Sequence, residues 1–152
     1  MAMTSQHFLS VASWKEAGTL LDFEPVQPRD AVGHSLQGLR IHVRDHRQRE
    51  VTTGDRTLEA DYGGFVLSEA RSTRQDARKL ALETSYGAEA RDVRVGSHAG
   101  KSYELGPEPE PDDPDGRLPA VVTWSAGEMF YLIASGELSD ATLLSIANSI
   151  YT

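Results

Sequence analysis

The chain has 152 residues, enough for one domain with a real core, of which 39% are hydrophobic and 25% charged, with a formal net charge of −8. That charge disfavours nonspecific binding to nucleic acid or to an anionic membrane surface. With no cysteine, disulfides, thiol nucleophiles and cysteine-ligated zinc are excluded, and no run of about 18 apolar residues offers a membrane-spanning helix.

Residues 1–6 read as a tag remnant or a frayed end. The start MAMTSQHF lacks the basic and apolar regions of a signal peptide, so the chain reads either as cytoplasmic or as stripped of its export segment. Over residues 7–23 the spacing turns helical. Ser10 or Ser13 can cap that helix, Ser13 with Glu16 matches a capping box, and Trp14, Ala17, Leu20 and Leu21 line one side. Pro25 and Pro28 then impose an extended connector. Leu39, Ile41 and Val43 alternate with Arg40, His42 and Arg44, the pattern of a half-buried strand. A charged bend over 45–50 leads to a strand over 56–62 with Leu58, Ala60 and Tyr62 on one side, and Phe65-Val66-Leu67 begins another. These three strands look like a meander.

Helical spacing returns over residues 73–85, with Ala77, Leu80 and Ala81 on one side. Residues 92–95 and 102–105 flank a glycine-bearing segment and predict a hairpin with a longer loop. The run over 106–119, containing PEPEPDDPDG, predicts an exposed, mobile acidic loop. The clearest unit comes last. Val121 to Trp124 and Met129 to Ile133 read as a hairpin broken near Gly127, with Val122 and Trp124 on one face and Val121 and Thr123 on the other. Both faces are apolar, which predicts a central or helix-covered pair. Ser139 is the N-cap of a closing helix whose Leu143, Leu144, Ile146, Ala147 and Ile150 must bury against that hairpin.

Several segments resemble functional motifs, each with a plainer structural reading. Gly96 to Ser102 looks like the end of a phosphate loop. Its glycines are too close, Val95 stands where the first glycine belongs, and a strand follows in place of the required helix. His42 and His46 with Asp45 suggest a metal only on a helix; on a strand four residues span roughly 13 Å. Arg40, Arg44, Arg47 and Arg49 form a small basic patch that faces an acidic partner, the acidic loop or solvent. Asp112, Asp113 and Asp115 resemble a calcium loop, but Pro111 and Val122 occupy its first and last ligand positions. Trp14, Trp124 and Tyr131 line a pocket or belong to the core. Gly33-His34-Ser35 lacks the second glycine of a nucleophile elbow, since Gln37 precedes Gly38. The reading therefore assigns no catalytic, cofactor-binding or metal-binding residue.

The order of features nevertheless resembles a known family. The residues that carry the likeness are Ser13-Trp14-Lys15-Glu16-Ala17 through Phe23-Glu24-Pro25-Val26 and Pro28, the strand near Leu39 to Val43, and the ending Thr123-Trp124, Tyr131-Leu132, Gly136, Leu144, Ile146-Ala147 and Ser149-Ile150. The family is a domain of unknown function in bacterial cell-envelope proteins. Its members look like the extracytoplasmic C-terminal part of predicted anti-sigma factors, or like lipoproteins. The resemblance implies an extracytoplasmic, non-enzymatic domain that senses or binds a peptide, lipid or protein partner, and supplies no catalytic residues. The expected architecture is a single α+β domain over residues 1–152, with one mostly antiparallel sheet of about six or seven strands and N-terminal, central and C-terminal helices. Two other functions stay open: a small cytoplasmic hydrolase or transferase built on His34, His42 or His98 with a carboxylate, and a structural, oligomerising module.

Overall fold

The computed structural model describes residues 7–45, 47–71, 86, 90–114 and 116–152. Among the described residues eight strands make one sheet: β1 (Phe8–Val11), β2 (Gly38–His42), β3 (Thr57–Asp61), β4 (Val66–Arg71), β5 (Arg91–Val95), β6 (His98–Tyr103), β7 (Ala120–Ala126) and β8 (Met129–Ser135). Their spatial order is β1-β2-β3-β4-β8-β7-β6-β5, and every neighbouring pair is antiparallel. The sheet is thus two four-stranded meanders joined along β4 and β8. The α+β class with an antiparallel sheet holds, but the strand count is eight rather than six or seven. The extra strand is β1, in a stretch expected to be helical. Phe8, Leu9 and Val11 favour extended backbone, and they pair with His42, Ile41 and Leu39 of β2.

The helix α1 (Trp14–Leu20) follows directly. The Ser13 hydroxyl accepts from the Glu16 amide at 3.1 Å, and the Glu16 carboxylate turns back to accept from Ala12 N at 2.9 Å. Near the C-terminal end, the helix α2 (Asp140–Ser149) is capped by Ser139, whose hydroxyl accepts from Thr142 N at 3.2 Å. Both helices lie on the same face of the sheet. Ala17 of α1 and Leu143, Ile146 and Ala147 of α2 join Leu39, Ile41, Leu58, Leu67, Val122 and Ile133 in one buried cluster. Each large side chain buried there contributes roughly 1.5–3 kcal/mol. The helix expected over residues 73–85 lies outside the described residues.

The hairpin of β7 and β8 is central and apolar on both faces, as its sequence predicts. The hairpin of β5 and β6 has a shorter turn than expected. Val95 pairs with His98, leaving only Gly96 and Ser97 to turn, with Gly96 at φ 60°. One row of directly paired residues crosses the helix-covered face from edge to edge: Leu9, Ile41, Leu58, Glu69, Tyr131, Trp124, Gly100 and Val93. Gly100 has to be small. A Cβ there would stand 2.4 Å from the Thr123 carbonyl oxygen and 3.1 Å from Trp124 Cβ. Gly100→Ala is expected to lower the stability measured by urea unfolding by about 1–3 kcal/mol, because backbone must move to admit the methyl group.

Candidate functional site

Alternation along β4 sends Leu67 and Glu69 to the helix-covered face, and Glu69 is 0% exposed there. Its Oε1 accepts from the Val26 amide at 2.8 Å, while Oε2 is buried without a hydrogen-bond partner among the described residues. Burial raises the carboxyl to about 8, against the partial relief of the Val26 hydrogen bond, so Glu69 is mostly protonated at neutral pH. Three phenols surround it electrostatically. Burial, then Glu69, pushes Tyr62 up to about 12; burial first and Glu69 second also raise Tyr131, and Tyr151 is raised chiefly by burial.

An aromatic group adjoins the carboxyl. Tyr131, directly opposite Glu69, stacks on Trp124 with ring centroids 5.1 Å apart. Trp124 Nε1 donates to the Tyr151 hydroxyl at 2.9 Å, and the Tyr151 ring packs on His98 at 5.0 Å. The extended segment after α1 crosses this face and is tied down at both ends. Arg71 reaches the Asp22 carboxylate at 3.1 Å, and Asp30 N donates to the Ser149 hydroxyl at 3.1 Å. Beyond α2's N-terminus, the Ser102 hydroxyl donates to Asp140 Oδ2 at 2.7 Å, and Arg91 pairs with the same carboxylate. Burial opposes ionisation of Asp140, but these partners outweigh it and hold the carboxyl below its usual range.

The opposite face of the sheet is divided. Over β4, β8, β7 and β6 it is buried: Ala70, Phe130, Leu132, Val121 and Tyr103 are at most 4% exposed, with Tyr86 and Ala90 packed on them. Over β1, β2 and β3 the corresponding residues are exposed or half-buried. There Arg40 makes a salt bridge to Glu59 at 2.7 Å while its guanidinium sits 4.0 Å over the Phe8 ring. Beside this pair is an open groove of about 200 Å³, lined by Ser10, Gly38, Arg40, Glu59, Asp61 and Val66. Gly38 leaves the groove unfilled, since a Cβ at that position would meet nothing within 4 Å.

The residues singled out from sequence are scattered. His34 packs edge-on against Phe65 at 5.8 Å, and His42 lies 5.4 Å from the Phe8 ring near the β1 edge. His98 is on β6, about 24 Å away across five strand spacings. Among the described residues no three histidine or acidic side chains gather as a cation site; His46 and Asp115 lie outside them. Arg40 pairs with Glu59, Arg49 with Asp45, and Arg44 donates to the Gln48 carbonyl, so the basic patch is largely satisfied within its own strands and bend. Asp112 and Asp113 are exposed in the loop after β6, whose ends are closed by Gly106 N donating to Leu118 O at 2.7 Å. Residues 96–102 form the β5–β6 turn and β6, while Gly33, His34 and Ser35 lie in a loop. Trp124 and Tyr131 are buried, and Trp14 packs on the same core half-buried. Sequence reasoning missed Glu69 and the Gly38 groove. The signal for Glu69 was present: an acid at an inward position, two residues after Leu67.

No family model, curated protein or solved structure matches the chain.

Two outcomes are expected. In Tyr151→Phe, Trp124 loses its acceptor, and stability should fall by about 1–3 kcal/mol in chemical unfolding. Glu69 has a native pKa above its ordinary value, so the folded chain binds more protons than the unfolded one. Its contribution is complete below the ordinary value of 4.5 and declines as pH rises through about 8. Glu69→Gln should therefore flatten the fall in melting temperature across that window. An unchanged slope would show that another group sets it.

Proposed function

We propose that the chain is a non-enzymatic binding or sensing domain of a bacterial cell envelope, and that it takes an extended peptide from a protein partner on the open half of its sheet. The envelope setting follows from the family resemblance described above. The site reading rests on one observation: the face opposite the helices is buried over β4, β8, β7 and β6 but exposed or half-buried over β1, β2 and β3, where the Gly38 groove lies. A groove of about 200 Å³ is below the roughly 300–1,000 Å³ usual for pockets that enclose small molecules. It suits a single side chain of a longer ligand. Its walls mix a guanidinium, two carboxylates and a hydroxyl, which match peptide groups better than an acyl chain.

Gly38→Leu is the discriminating variant, because Gly38 lines the groove and a Cβ there meets nothing within 4 Å. Thermal-shift screening against peptide, lipid and sugar panels should show peptides raising the melting temperature of the wild type. Gly38→Leu should keep its own melting temperature and lose that shift. If no peptide binds, or if the variant responds like the wild type, the proposed face is wrong.

A further inference from the structure

We propose that Glu69 is a proton-operated latch: protonated, it seals the connector over residues 23–28 onto the sheet, and on ionising it releases that connector while the sheet stays folded. The inference is independent of the groove and stands on the placement of one side chain. The Glu69 carboxyl is fully buried on the helix-covered face, and its Oε1 holds Val26 N at 2.8 Å. Its Oε2 is buried with no hydrogen-bond partner among the described residues. A neutral acid tolerates that position; a carboxylate there keeps one hydrogen bond in place of its water shell, which is a large penalty.

Among the described residues the charged and titratable neighbours offer no cation to offset it. Tyr62 after β3, Tyr131 on β8 and Tyr151 after α2 are groups that the charge of Glu69 reaches, and all three titrate above their ordinary range, so they stay neutral as Glu69 ionises. On the connector itself the titratable residue is Glu24, again acidic. Arg71, two residues further along β4, is bound to Asp22 and Glu128. Arg56, on β3's side, donates to Leu20 O at 2.7 Å and lies 3.8 Å from Glu50.

Water is the remaining way to stabilise the ionised form, and the connector is the cheapest barrier to move. Pro25 and Pro28 carry no N–H, so lifting the segment breaks few backbone hydrogen bonds. Its ends stay pinned by Asp22 with Arg71 and by Asp30 with Ser149, so it swings out as a loop between fixed points.

Amide hydrogen exchange on the full 152-residue chain tests this. Protection at Val26, taken relative to the unstructured rate at each pH, should fall about tenfold between pH 7 and 9, with strand amides of β7 and β8 unchanged. In Glu69→Gln it should stay constant. Constant protection in the wild type, or an equal fall in the variant, overturns the latch. Should Glu69→Gln fail to fold, the carboxyl carbon shift of Glu69 can be titrated in the wild type alongside Val26 protection. Coincident midpoints support the latch; separate midpoints overturn it.

Discussion

The pairing of β4 with β8 is what makes one sheet out of two meanders. Six residues on each strand are in register, from Val66 with Ala134 to Arg71 with Met129. Within each meander, neighbouring strands follow one another in the chain, but β4 and β8 are separated by residues 72–128, and their union has the larger loop-closure cost. The side chains at that seam must offset it. On one face they do so with Ala70, Phe130 and Leu132. On the other they include an acid.

Glu69 is therefore an odd residue at an expensive place. Leu58 and Tyr131 flank it across the strands, and a leucine in its position would continue the row. The acid instead recruits the Val26 amide and fixes where the chain crosses the sheet after α1. Buried polar groups of this kind are weak evidence for stability and better evidence for a specified path or a switch. The same face carries a second polar tie, Asp140 with Ser102 and Arg91, which secures α2 to the outer strands β5 and β6. Between the two ties lies the stack of Trp124 on Tyr131, closed by the Tyr151 hydroxyl. The helix-covered face is thus an apolar layer located by a few directional contacts.

The other face works differently. Its buried half is apolar, and its open half is a mosaic of paired charges with a notch at Gly38. Arg40 is held from two directions, by the Glu59 carboxylate and by the Phe8 ring. A guanidinium restrained in this way has fixed donors and less conformational freedom left to lose.

Local patterns determined much of the fold. Alternation placed Leu39, Ile41, Leu58 and Ala60 inward, Ser13 and Ser139 marked helix starts, and the β7–β8 hairpin declared itself central through apolar residues on both faces. These features were legible because period, capping and turn chemistry act over a few residues. Phe8 to Val11 was misread because helical spacing and strand propensity overlap in so short a run, and pairing with β2 decided it. The order of the two meanders, the burial of one oxygen of Glu69, its contact with Val26 43 residues away, and the notch at Gly38 belong to the tertiary structure alone. Each depends on which distant segments meet, and no periodicity within a strand encodes that.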